Sequence, residues 1–128
     1  MKIIESKQEI HKFKRVLTVD DDAGSLKILE LIIKRFDSSY EIIKANNGLE
    51  ALEILDKINV DLILTDHVMP IMSGVQFAEK FKETQNKTCP IILISGLENI
   101  EQPDLFEAII KKPMQINQLR DLLSKYIK

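Results

Sequence analysis

From Arg15 onward, short unbroken apolar runs alternate with longer stretches in which apolar residues recur every three or four positions. Val16-Leu17-Thr18-Val19 is a β-branched run that stops at three aspartates. Leu26, Leu29, Ile32, Ile33 and Phe36 then fall at helical spacing, with Asp22 or Ser25 available to cap the helix. Tyr40 to Ala45 reads as a second strand, Asn46-Asn47-Gly48 as turn chemistry, and Leu49, Leu52 and Leu55 as the start of another amphipathic helix. Leu62-Ile63-Leu64 is a third, buried strand that ends at Asp66. Pro70 and Gly74 punctuate a loop, and Val75, Phe77, Ala78 and Phe81 suggest a third helix. Pro90 opens the most apolar strand, Ile91-Ile92-Leu93-Ile94, and Ala108-Ile109-Ile110 fits a fifth. The last helix carries Ile116, Leu119, Leu122, Leu123 and Tyr126.

Strand and helix thus alternate about five times, and the strands are apolar on both faces. That pattern predicts an α/β fold, a doubly wound parallel sheet with helices on both sides and right-handed crossovers. No repeat or low-complexity tract interrupts it. Residues 1–13 precede the pattern and read as an N-terminal extension. Ile3, Ile4, Ile10 and Phe13 could form one apolar stripe over a helical turn or two. Residues 14–128 are expected to form one domain.

Bulk composition narrows the function classes. A chain of 128 residues is one domain by length and can bury a real core. The 18 basic side chains against 20 acidic ones give a net charge of -2, which leaves no electrostatic footprint for nucleic acid or anionic membrane. Cys89 is the one cysteine, so no disulfide forms within the chain and a reducing compartment is expected. Neither a secretory signal nor a membrane-spanning run is visible, which makes a cytoplasmic protein the expectation.

Ligands of open parallel sheets bind beyond the carboxyl ends of the strands. The residues that stop the apolar runs are therefore the informative ones: Asp20-Asp21-Asp22, Asp66, Ser95 and Lys111-Lys112-Pro113. Taken alone, the aspartate triplet is a solvated turn and helix cap. Carboxylates gathered on one half-buried rim repel one another, and a hard divalent cation with oxygen ligands resolves the conflict. Mg2+, with one or two carboxylates and phosphate oxygens, suits such a rim, and Lys112 or Lys111 adds positive charge. Aspartate can act as a covalent phosphoryl acceptor, a reaction that needs positioning and charge neutralisation above all.

The segments VLTVDDD (16–22), DLILTDHVMPIMSG (61–74), IILISG (91–96) and IIKKP (109–113), in that order, resemble the receiver domain of two-component response regulators. The resemblance runs from about Arg15 to Lys128, and its specificity lies in the ordered set. It implies a flavodoxin-like sheet of order 2-1-3-4-5. It also implies Asp66 as phosphoacceptor and metal ligand, Asp20 and Asp21 as the acidic pair holding Mg2+, and the backbone carbonyl of Val68 as a further ligand. Ser95 matches the switch hydroxyl, Lys112 the lysine of the site, Lys112-Pro113 a commonly cis bond, and Gly74 the glycine ending the loop after Asp66. The implied donor is a histidine kinase or phosphotransfer protein. The output is an unknown downstream protein or a fused output domain, with no direct nucleic acid or membrane contact. Such a domain catalyses only its own phosphorylation and dephosphorylation.

Departures from the family pattern are equally concrete. The strand-five position that is often aromatic is Ile109. The stretch from Gly96 to Glu107 is short, contains Pro103 and lacks a helical period, so helix four is expected to be a turn or a loop. Val68 and Leu97, which match positions flanking the phosphoryl group, are carbon side chains that cannot orient water, so slow self-dephosphorylation is expected, on the order of hours. Two other functions compete with phosphoryl transfer. A phosphorylation-independent docking module would explain Ile109 and the short crossover. A small hydrolase with an aspartate nucleophile would need a second acid where Val68 stands. His67 is expected to be exposed at the mouth of the site, Lys111 to point to solvent, Asp22 to cap the helix, Cys89 to be a half-buried structural thiol, and Met69, Met72, Phe77 and Phe81 to pack.

Overall fold

The computed structural model describes residues 14–85 and 88–127; the expected extension at 1–13 lies outside the described residues. Strands and helices alternate as β1 (Arg15–Val19), α1 (Ala23–Phe36), β2 (Glu41–Ala45), α2 (Gly48–Lys57), β3 (Leu62–Asp66), α3 (Gly74–Gln85), β4 (Ile91–Ser95), β5 (Ala108–Lys111) and α4 (Ile116–Tyr126). The strands pair in parallel as one sheet of order β2-β1-β3-β4-β5, the expected doubly wound order. Every residue of β3 and β4 is buried, which is why those runs are apolar without alternation. Among the described residues, no helix is long and apolar enough to cross a membrane.

Two cores flank the sheet because successive strand residues face opposite sides. Leu17, Val19, Ile63 and Leu93 pack with Ala51 and Leu55 of α2 and with Phe77 and Phe81 of α3, whose rings stack at 6.3 Å. Val16, Leu62, Leu64 and Ile92 pack with Leu29 and Ile33 of α1 and with Leu119 and Leu123 of α4. Met69 belongs to the first core and half-buried Met72 packs against it, so both methionines and both phenylalanines are packing residues as expected. Ile116 is an exception to the apolar stripe of the last helix, since the first turn of α4 turns it outward.

Local chemistry sets the helix starts. The Asp22 carboxylate accepts from the Ser25 N–H and so caps α1. At α2, Asn47 accepts from the Glu50 N–H while the Glu50 carboxylate accepts from the Asn46 N–H, a reciprocal cap. Strand β2 begins one residue later than expected, because the Tyr40 N–H donates to Asp37 in the preceding turn. Between β4 and β5 there is only a short 3-10 turn at Pro103–Leu105, as the short crossover predicted. Its apolar residues Ile100, Leu105 and Phe106 lie on the α2–α3 core in place of a helix.

Close approach fixes the junction of β3 and α3. A Cβ at Gly74 would lie 2.5 Å from the Asp66 carbonyl oxygen and 2.7 Å from Leu93 Cδ1, so a side chain there displaces backbone at the sheet's edge. Gly74→Ala is expected to cost about 1–3 kcal/mol, the usual penalty for overpacking a filled interior. Urea denaturation measures this directly, and an unchanged midpoint would contradict the close approach.

Candidate functional site

The carboxyl ends of β1, β3, β4 and β5 bring the expected residues to one rim. Asp66 is the last residue of β3, opposite Ile94 in register, and is 7% exposed. Asp20 follows β1 directly, and its N–H donates to the Ala45 carbonyl of β2 at 3.1 Å, which holds it at the sheet. One carboxylate oxygen from each of Asp20, Asp21 and Asp66 lies within 4.8 Å of the others. The donor set is all oxygen and graded in burial: Asp66 buried, Asp20 half-buried, Asp21 exposed.

Lys112 supplies the opposing charge. Its Nζ lies 2.6 Å from Asp66 Oδ1, and its backbone N–H donates to the Ser95 carbonyl at 2.9 Å. That second bond anchors it where β4 and β5 end together, with Ser95 opposite Lys111. The hydrogen bond to Asp66 holds the lysine above its ordinary pKa, against the opposing effect of burial. Asp20 is also shifted upward. Burial is the main cause and the Asp66 charge adds to it, while the hydrogen bond from the Asp22 N–H pulls the other way. The Lys112-Pro113 bond is cis, as the resemblance implied.

Around this centre the other residues take distinct places. Ser95 is buried, and its Oγ accepts the Leu97 N–H at 3.0 Å, which leaves the hydroxyl proton free to donate. Val68 and Leu97 are 67% and 48% exposed, two carbon side chains among polar groups. Asp22 is engaged with the Ser25 N–H and hydroxyl as a cap. The Cys89 thiol is half-buried and contacts the Val60 carbonyl at 3.4 Å, the structural place expected of it.

Lys111 is exposed as expected, and its Nζ pairs with Glu98 of the short crossover at 2.8 Å. One expectation needs correction. His67 is half-buried, with Nδ1 enclosed and without a hydrogen-bond partner, because the loop folds back so that the Gly74 N–H reaches the His67 carbonyl. The Glu98 contact was not legible beforehand, because no local spacing connects a loop acid to a strand thirteen residues away.

A family model for the response regulator receiver domain matches residues 16–124. Sporulation initiation phosphotransferase F of Bacillus subtilis is 30% identical over 118 residues, which cover 89% of this chain and 94% of that protein. The Vibrio harveyi autoinducer 1 sensor kinase/phosphatase LuxN is 30% identical over 116 residues, 88% of this chain but 13% of that protein. Likewise, the match spans 20% of the Saccharomyces cerevisiae transcription factor SKN7. Among solved structures, the response regulator protein TrrA of Thermotoga maritima, in complex with Mg(2+)-BeF, superposes with a TM-score of 0.81 at 27% identity, covering 90% of this chain and all of that one. The chemotaxis response regulator CheY4 of Vibrio cholerae gives 0.78 at 25% identity, over 91% of this chain and all of that one.

The upward shift of Asp20 has a definite sign. A carboxyl whose folded pKa exceeds its unfolded one favours folding below the unfolded value and loses that contribution as pH rises through the folded value. Asp20→Asn should therefore melt higher than the parent in metal-free buffer at neutral pH. The gap should close as pH falls below the ordinary carboxylate value of 3.8. A variant that melts lower at neutral pH would contradict this.

Proposed function

This chain belongs to the response regulator receiver domain family of two-component signalling, and on that premise we propose that Asp66 accepts a phosphoryl group from a histidine kinase or phosphotransfer protein in a Mg2+-dependent reaction. The observation that carries the reading is the convergence of Asp20, Asp21 and Asp66 within 4.8 Å, with Lys112 Nζ 2.6 Å from Asp66. An all-oxygen set that is partly buried and short of positive charge fits a hard divalent cation. Asp20, Asp21, Asp66 and the Val68 carbonyl would hold it. Bound there, Mg2+ supplies neutralisation of the charge on the transferring oxygens.

The chain's own residues then have separate tasks. An Asp66 carboxylate oxygen attacks the phosphorus, the phosphorus–nitrogen bond to the donor imidazole breaks, and the electron pair leaves with that nitrogen. Lys112, already at Asp66, stays beside the new acyl phosphate and balances its charge. The Ser95 hydroxyl, whose oxygen accepts the Leu97 N–H and whose proton is free, donates to a phosphoryl oxygen, which can only accept. Asp66 is itself the group modified, so the domain acts on itself and turns over no other substrate. The receiver unit is taken as residues 14–128 with 1–13 as an extension, in a cytoplasmic setting. Its output is a change in protein–protein contacts, to a downstream protein or a fused output domain, with no direct nucleic acid or membrane contact.

One specific observation favours a second reading, a phosphorylation-independent docking module. The crossover between β4 and β5 lacks a helix, and half-buried Ile109 stands where an aromatic switch residue is usual. Clustered carboxylates argue against it, because a module freed from chemistry gains nothing from such repulsion.

Amide NMR spectra with Mg2+ and beryllofluoride, run beside Asp66→Asn, separate these readings. A Mg2+-dependent shift of residues around Asp66 and Ser95, lost in the variant, is expected; no response in the parent chain would favour constitutive docking. The lifetime of the acyl phosphate is a further check. With carbon side chains at Val68 and Leu97 it should be on the order of hours, and Val68→Asn should shorten it about tenfold by orienting water. A lifetime of seconds in the parent chain would contradict this.

A further inference from the structure

Residues 67–73 join β3 to α3, and their middle is strained. Ile71 has a φ of 75°, in the left-handed region that a β-branched residue rarely enters. The Met72 N–H donates to the Pro70 carbonyl at 2.8 Å and closes a three-residue turn around it. Burial of the Ile71 side chain does not offset the strain, because that side chain is 71% exposed. Strain of this kind persists only where the surroundings over-determine the conformation.

The next residue supplies the constraint. A Cβ at Gly48 would fall 2.5 Å from Met72 Cγ and 2.8 Å from Met72 Sδ. Gly48 does not have a positive φ, so what glycine provides here is room, not backbone freedom. The Met72 side chain occupies that room, against the first turn of α2 and beside Phe77. At its far end the loop is pinned by the 2.8 Å bond from the Gly74 N–H to the His67 carbonyl. Val68 lies between the two anchors.

We infer that Met72 is a positioning residue for the metal side of the site: seated in the notch at Gly48, it locks the turn at Ile71 and so fixes the Val68 carbonyl relative to Asp66. This rests on the site reading given above. Removal of the thioether frees the turn to leave the left-handed conformation, and the loop that carries Val68 shifts with it. A side chain at position 48 expels Met72 and has the same consequence.

Titration with Mg2+ alone, followed by amide spectra, tests this on the parent chain, Met72→Ala, Gly48→Ala and the double variant, with melting temperatures recorded for each. Met72→Ala should weaken Mg2+ binding about tenfold, the size typical when support behind a metal ligand is lost. Gly48→Ala should do likewise, and the double variant should lose no more than either single change, because both act through one contact. Ile71→Asn, which adopts the left-handed turn without the lock, should restore most of the Mg2+ affinity lost in Met72→Ala, and failure to restore it would overturn the lock. Unchanged affinity in Met72→Ala, whatever its melting temperature, would overturn the positioning role, and so would additive losses in the double variant. Absence of any Mg2+ response in the parent chain would instead overturn the site reading, and this inference with it.

Discussion

Three carboxylates share the carboxyl edge of this sheet, and one lysine faces them. Like charges within 4.8 Å of one another oppose the folded state unless something holds and offsets them. Parallel strand pairing does the holding: β1 and β3 are neighbours in register, so the residues that follow their buried runs arrive together. Lys112 offsets part of the charge, and its place is set by the bond between its N–H and the Ser95 carbonyl. Burial is the chief cause of the upward shift of Asp20, and the Asp66 charge adds to it, so the rim carries its negative charge at a cost. The cation binding and phosphoryl acceptance proposed for this rim would draw on its clustered negative charge.

Much of this was legible in the amino-acid sequence, because it depends on where apolar runs stop. Val16 to Val19, Leu62 to Leu64 and Ile91 to Ile94 are unambiguous buried strands, and the polar residues that end them lie on one rim by topology alone. The cap at Asp22 and the missing helix between β4 and β5 were also readable, from local capping chemistry and from Pro103 in a short crossover. What was not readable depends on contacts between residues distant in the chain. Nothing in the spacing links Glu98 to Lys111 or Gly48 to Met72. The left-handed turn at Ile71 was hidden for another reason, since its residue type argues against that conformation. His67 read as exposed because the fold-back of its loop onto Gly74 has no periodic signature.

The surface beyond the site differs from what a full fourth helix would give. Ile100, Leu105 and Phe106 lie on the α2–α3 core, and Gln102 donates to Glu79 of α3, so the crossover is tied down along its length. The Glu98 to Lys111 pair spans from the loop after Ser95 to the residue beside Lys112. As an exposed pair it contributes little to stability. Its ends nevertheless flank the two residues proposed to respond to phosphorylation, which puts the surface nearest the chemistry on this short segment.

The most direct measurement is chemical location of the acyl phosphate. The protein is treated with acetyl phosphate and Mg2+, reduced with borohydride so that a phosphorylated aspartate becomes homoserine, and sequenced by tandem mass spectrometry. Homoserine at position 66 alone, absent when Mg2+ is withheld, is the expected result. Homoserine at Asp20 or Asp21, or none at any position, would contradict Asp66 as the phosphoryl acceptor.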